Sequence, residues 1–135
     1  MIPDGYIDVQ AEKIRIYKQL DSMVSDKEID RFYKQIEDRF GRIPQELRNL
    51  FSVVKLRNLG GSLGFEKIIV KNSLFILFFI NNSQSSYYNS DTFNRVLSRL
   101  AGIPQFEMKQ TDKLKLVARG VGSLDNALEL LRKLR

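Results

Sequence analysis

The sequence predicts an α+β fold with the element order ααα-ββ-α-ββ-α, and three features support this. Up to residue 59, apolar residues recur at the spacings of three and four that indicate amphipathic helices. After Gly60-Gly61 the pattern changes to short runs rich in β-branched and aromatic residues, typical of strands. Because these runs come in pairs separated by helical segments, we expect a small mixed or antiparallel sheet packed against helices.

After an extended lead-in at residues 2–7, three helices are predicted, over residues 10–23, 26–40 and 44–59. Ser25-Asp26-Lys27-Glu28 is a capping box that opens the second helix. Gly41 can adopt the positive φ that commonly ends a helix, and Pro44 suits a first helical turn. Gly60-Gly61-Ser62 is expected to end the third helix.

The second half is predicted to hold four strands and two helices. The strands are expected over 67–71 and 74–80, joined by Asn72-Ser73, and over 105–109 and 114–119, joined through Thr111-Asp112. Ser90 or Asn89 would cap a helix over 91–101 that buries Phe93, Val96, Leu97 and Leu100, and Ser123 would cap the last helix. The run 74–80 is apolar on both faces, which predicts a central strand covered by helices on each side. Alternatively, the face with Phe75, Leu77 and Phe79 docks on another protein or domain.

Length and composition indicate one soluble domain over residues 1–135, because 43% of the residues are hydrophobic and 28% charged. No apolar run approaches the ~20 residues that span a bilayer, so no membrane contact is expected. Met1-Ile2-Pro3-Asp4 does not have the pattern of a secretory signal. The absence of cysteine fits a reducing compartment, and a cytoplasmic location is expected.

The residue types argue against catalysis. Without histidine or cysteine, a general base near neutral pH would have to be a carboxylate or lysine with a strongly shifted pKa. The glycines at 60, 61 and 64 lack the Gly-Lys-Ser/Thr of a phosphate loop and follow a helix rather than a strand. No metal-ligand spacing occurs either. We therefore expect no enzyme activity, no metal and no cofactor.

The net charge of +6 is concentrated in the second half, where residues 61–135 carry 11 basic and 6 acidic side chains. This excess indicates either a solvated surface or an anionic partner. In the second case the chain would be a nucleic-acid-binding accessory domain using Lys109, Lys113, Lys115, Arg119 and the terminal Arg132, Lys133 and Arg135. Tyr87 and Tyr88, beside Arg95 and Arg99, could stack bases or cover a sheet edge.

Four motifs occur in order along the first half: Ile2-Pro3 with Tyr6-Ile7, Arg15-Ile16-Tyr17-Lys18, Asp38-Arg39-Phe40-Gly41 with Ile43-Pro44, and Asn49-Leu50. With these motifs the chain resembles the TRCF family, the C-terminal domain of bacterial transcription-repair coupling factors. The resemblance covers nearly the whole chain in element order and is strongest over residues 2–60.

The resemblance implies that the chain is a fragment of an ATP-dependent DNA translocase that removes stalled RNA polymerase and recruits nucleotide-excision repair. In the family this domain packs on an N-terminal module that resembles UvrB. It thereby masks the surface that recruits UvrA and restrains the motor. The implied role is non-catalytic and autoinhibitory, and UvrA, RNA polymerase and DNA would be partners only through the parent protein.

The resemblance also implies a docking site at the end of the second helix, where acidic residues of the family face arginines of the UvrB-like module. Asp38 matches one of these acids, and Gln35 stands where the other is usually Glu. The two positions share a helix face, so we expect the docking mode to persist with a weaker electrostatic part. Arg39 completes the expected partner-binding set, and the motif residues Phe40, Gly41 and Pro44 are expected to shape the turn.

Overall fold

The computed structural model describes residues 8–135, and its elements follow the predicted order ααα-ββ-α-ββ-α. The predicted lead-in at residues 2–7 lies outside the described residues. The helices are α1 (Val9–Leu20), α2 (Asp26–Phe40), α3 (Gln45–Ser62), α4 (Asp91–Leu100) and α5 (Leu124–Arg132). The strands are β1 (Phe65–Lys71), β2 (Leu74–Phe79), β3 (Phe106–Gln110) and β4 (Leu114–Arg119). The chain forms two compact units, Met1–Lys55 and Leu56–Arg135.

In the first unit, α1, α2 and the first part of α3 share one hydrophobic core. Its buried members are Ile16, Leu20, Ile29, Phe32, Ile36, Ile43, Leu47, Phe51 and Val54. The Asp8 side chain caps α1 by accepting from the Ala11 amide, and Ser25 caps α2 as predicted by accepting from the Glu28 amide. The positions of α1 and α2 therefore follow from apolar stripes between capped ends. Helix α1 lies slightly earlier in the chain than predicted.

Helix α2 ends at Gly41 with the predicted positive φ, but not in the left-handed helical conformation that is usual at a helix end. The Gly41 backbone has φ 81° and ψ −150°, a region that is essentially restricted to glycine, and its amide donates to the Glu37 carbonyl at 2.7 Å. Pro44 precedes the first residue of α3, and its carbonyl accepts from the Leu47 and Arg48 amides at 3.0 Å each. The helix thus begins one residue later than predicted.

The prediction that Gly60-Gly61-Ser62 breaks the third helix is wrong, because α3 continues through Ser62. Gly60 instead allows a close approach within the second unit: a Cβ there would lie 2.5 Å from Cδ1 of Ile68. The chain leaves the helix at Gly64, whose φ is +97°. The chain thus changes direction after Gly60 and Gly61, at the next glycine.

The second unit is built on a fully antiparallel sheet with the strand order β1-β2-β4-β3. Asn72 and Ser73 both have positive φ, 53° and 61°, which is the conformation of the predicted tight hairpin. One face of the sheet joins α4, α5 and the end of α3 in a second core. This core includes Leu56, Phe75, Leu77, Phe79, Val96, Leu116, Ala118, Leu128 and Leu131.

Strand β2 is central as predicted, but the expectation that helices cover both of its faces is wrong. Phe75, Leu77 and Phe79 are at most 1% exposed, whereas Ile76 and Phe78 on the opposite face remain partly exposed. The alternative that Phe75, Leu77 and Phe79 dock on another protein is also wrong, since these rings form the core of their own unit.

Helix α4 differs from its prediction at one position. Val96 is fully buried and Ser90 caps the helix, but Leu97 is 38% exposed rather than inward-facing.

None of the helices within residues 8–135 has both the length and the apolar character needed to cross a bilayer.

Candidate docking site

The last two turns of α2 place Gln35 and Asp38 on the exposed side of the first unit. The apolar stripe of α2 turns Phe32 and Ile36 into the core, whereas Gln35 and Asp38 lie off this stripe and are exposed. Gln35 and Asp38, three residues apart, therefore share a solvent-facing surface, and 67% of the Asp38 side chain is exposed. Their role in docking stays a prediction.

Lys34 shields the carboxylates of this helix end. Its Nζ lies 3.7 Å from Oδ1 of Asp38 and 3.7 Å from Oε1 of Glu37. Both contacts involve long, exposed side chains within one helix, so each contributes only about 0.3–0.5 kcal/mol. A cation presented by a partner can replace Lys34 at small cost.

The charge around Asp38 is positive rather than acidic. Residues 31–42 carry four basic and two acidic side chains, a net charge of +2. Arg39 directs its guanidinium over the Phe40 ring, with 5.1 Å between the guanidinium carbon and the ring centroid. A partner with arginines therefore meets the carboxylates of Glu37 and Asp38 within a surface of net positive charge, and long-range attraction contributes little.

Gln35 and Arg39 also line a groove of about 180 Å³ between α1 and α2. From α1, Glu12, Arg15 and Gln19 line the same groove. Glu12 is only 8% exposed, and its Oε1 lies 3.2 Å from an Arg15 guanidinium nitrogen. The sequence motif did not reveal this groove, although Glu12 and Arg15 stand at the helical spacing of three that indicates a pair.

The motif residues that follow Asp38 serve the architecture. Phe40 packs against the core of the first unit, and Gly41 and Pro44 shape the turn between α2 and α3. Within residues 8–135, no group of acidic side chains has an arrangement that could hold a metal ion. The site can therefore offer a carboxylate, an amide and guanidinium groups to a partner surface.

Tyr87 and Tyr88, the candidates for base stacking, are engaged in packing. The Tyr87 hydroxyl donates to the Leu63 carbonyl at 2.6 Å, and the Tyr88 hydroxyl donates to the Ile80 carbonyl. Both rings pack against Phe93 with centroid distances of 5.3 and 5.0 Å. Burial raises the pKa of Tyr87 to about 12. This geometry favours the interpretation in which the loop covers the sheet.

Comparisons with known proteins converge on one family. The family model described as "TRCF domain" matches residues 1–90. The transcription-repair-coupling factor of Rickettsia prowazekii is 28% identical over 118 residues, which are 87% of this chain and 10% of that protein. Its namesake in Escherichia coli is 28% identical over 68 residues, 50% of this chain and 6% of that protein. The chain thus spans about a tenth of the length of the curated relatives it matches.

The fold has a counterpart among solved structures. A crystal structure of the C-terminal domain of transcription-repair coupling factor aligns with a TM-score of 0.70. The alignment covers 98% of this chain and 84% of that one, at 17% sequence identity. This likeness supports the α+β fold described above.

Proposed function

Because the chain belongs to the TRCF domain family, we propose that it is a non-catalytic regulatory domain that docks on the N-terminal UvrB-like module of its parent protein. The observation that carries the proposal is the exposed Asp38 carboxylate, presented beside Gln35 at the end of α2. Arginines of the module would contact this helix end, with Asp38 as the anionic contact and Gln35 as a neutral one.

Docking would have two consequences in the parent protein, which on this proposal is an ATP-dependent DNA translocase of transcription-coupled nucleotide-excision repair in the cytoplasm. The bound domain covers the surface that recruits UvrA, and it restrains the motor until RNA polymerase is engaged. The domain contributes no chemical step, so nucleotide hydrolysis belongs to other parts of the parent protein.

The electrostatics of the helix end support a contact that can be released. On docking, Asp38 exchanges its ion pair with Lys34 for an ion pair with an arginine of the module, and Gln35 adds no charge. A contact of this kind stabilises the docked state by about a few kcal/mol at most, and the high effective concentration within one chain (~mM) compensates for weak affinity. A ligand that binds only the undocked state can then shift the equilibrium.

The direct test is a calorimetric titration of this domain into the separately produced UvrB-like module at low salt. Wild type is compared with Asp38→Lys and with Glu129→Lys, which makes the same charge change at an exposed position of α5 in the other unit. We expect binding by wild type and by Glu129→Lys and loss of binding by Asp38→Lys. If wild type fails to bind at ~mM concentration, or if both variants weaken binding equally, the proposal is wrong.

A further inference from the structure

We propose that the open face of the sheet in the second unit is a binding surface for single-stranded nucleic acid, a site separate from the docking helix of the first unit. The open face is the side opposite the core, defined by Lys67, Ile76, Phe78, Lys115, Val117 and Arg119. Residues that pair directly across neighbouring strands lie on the same face, so the strand register defines this surface.

The register arranges the open face in rows that cross the strands. One row contains Lys67 of β1, Phe78 of β2, Lys115 of β4 and Lys109 of β3. Since neighbouring strands lie about 4.8 Å apart, adjacent cations of this row are roughly 5–10 Å apart. A second row, with Lys71 and Arg119 on either side of Leu74, lies beyond the apolar residues Ile69, Ile76 and Val117.

Phe78 is the aromatic group of this surface. Three ammonium groups surround its ring: the Nζ atoms of Lys67, Lys115 and Lys113 lie 5.6, 5.7 and 5.9 Å from the ring centroid. A nucleotide that places its base on this ring finds three cations nearby for its phosphates. Lysine stems are flexible, so the ammonium groups can move from the ring face to the phosphates.

Charge on this face favours a polyanion. The unit carries 12 basic and 6 acidic side chains, and half of the basic ones lie on or beside the open face. Acidic side chains on or beside this face include Glu107, 3.9 Å from the Lys109 ammonium at the β3 edge, and Asp112 in the turn next to Lys113. Cations repeated in rows fit a ligand with repeated negative charges, such as the phosphates of a nucleic acid strand, better than they fit a ligand with a single carboxylate.

A protein partner fits this surface less well, because little apolar area remains to be buried. Val117, in the middle of the apolar row, is only 7% exposed, and Ile69 and Ile76 are already partly buried by their neighbours. Hydrophobic docking scales with the apolar area removed from water, so most of the affinity must come from charge. A duplex is disfavoured as well, since a ring on a sheet face can stack only on an unpaired base.

The structure also separates the basic residues that the sequence grouped together. Lys109, Lys115 and Arg119 lie on the open face with Lys113 in the adjoining turn. Arg132 is the last residue of α5, and Lys133 and Arg135 come directly after this helix, which packs on the opposite face of the sheet. The terminal cations are therefore not part of the proposed site.

The test is fluorescence anisotropy of a labelled oligothymidylate of about 20 nucleotides, long enough for one site, titrated with the whole chain. Lys67→Gln/Lys115→Gln removes two charges from the open face, and Arg95→Gln/Arg99→Gln removes two from exposed positions of α4 as a matched control. We expect the first double variant to bind at least tenfold more weakly and the second less than threefold. Circular dichroism melting confirms that each variant is folded.

Two further readouts separate the ligand classes. Between about 50 and 200 mM salt, the log–log slope for wild type is expected near −2 to −3 and should become shallower by about 1.4 in the open-face variant. An abasic strand of equal charge should bind wild type at least about fivefold more weakly if Phe78 stacks a base. The proposal is wrong if both double variants weaken binding equally or if the abasic strand binds as tightly as the intact strand. It is also wrong if polyglutamate competes as well as the oligonucleotide, and the ligand would then be an acidic protein.

Discussion

Gly64 combines two constraints in the second unit, since its backbone conformation and its missing side chain are both required. Its φ of +97° is rarely adopted by residues with a side chain. A Cβ at this position would lie 2.0 Å from Cε1 of Tyr87, whose hydroxyl is held by the Leu63 carbonyl next to Gly64. The tyrosine ring thus packs directly on the glycine backbone.

We predict that Gly64→Ala lowers the free energy of unfolding by about 2–4 kcal/mol, because it adds backbone strain and overlap with the Tyr87 ring. Gly61→Ala is the matched control: Gly61 is helical, and nothing lies within 4 Å of a Cβ there. It should raise the free energy of unfolding by about 0.5–1 kcal/mol. Urea denaturation measures both, and equal effects of the two variants would contradict this account.

The raised pKa of Tyr87 predicts that the protein loses stability at alkaline pH. Burial raises this pKa to about 12 in the folded state, against about 10 in the unfolded chain. The unfolded state therefore loses this proton first, and the contribution of Tyr87, complete below pH 10, disappears as the pH rises through 12. In Tyr87→Phe the free energy of unfolding should decline less steeply over this range. Denaturant titrations at stepped pH test this, and identical slopes for both proteins would disprove it.

The sequence predicts the docking residues only in part. The exposure of Gln35 and Asp38 follows from the apolar stripe of α2. The groove that Gln35 and Arg39 share with Arg15 depends on how α1 packs on α2, which no spacing within one helix reveals. The number of basic residues near Asp38 is visible in the sequence, whereas the motif itself contains only one of them, Arg39.

Helix α2 is the element on which the proposed docking depends, and position 35 can strengthen it. We predict that Gln35→Glu tightens binding to the UvrB-like module by about two- to fivefold, because it adds a carboxylate on the Asp38 face. Gln19→Glu makes the same chemical change on the α1 side of the same groove and should have little effect. The measurement is the calorimetric titration, and equal gains from both variants would point to net charge rather than to the α2 face.

The remaining elements show where local pattern is sufficient and where it fails. Strands β1 and β2 and their turn follow from β-branched and aromatic runs around Asn72-Ser73. Asparagine readily adopts positive φ, but the positive φ of Ser73 does not follow from its residue type. The end of α3 was misplaced because Gly60 is required for contact with Ile68, far along the chain, rather than for a local turn. Which face of β2 is covered depends likewise on helices α4 and α5.

At the scale of the whole molecule, the prediction of one domain over residues 1–135 can be tested by cooperativity. Helix α3 crosses the boundary between the two units without a break, with Val54 in one core and Leu56 in the other. Since both cores need the same helix, we expect one calorimetric transition with equal calorimetric and van't Hoff enthalpies. Two separate transitions would show that the units unfold independently.

If the domain masks the UvrA-recruiting surface, the domain and UvrA must exclude each other on the UvrB-like module. The most direct measurement is calorimetric titration of the domain into the module, with and without saturating UvrA. Masking predicts binding in the absence of UvrA and none in the presence of saturating UvrA, with Asp38→Lys failing in both. A ternary complex, in which the domain binds the module equally well with UvrA present, would contradict it.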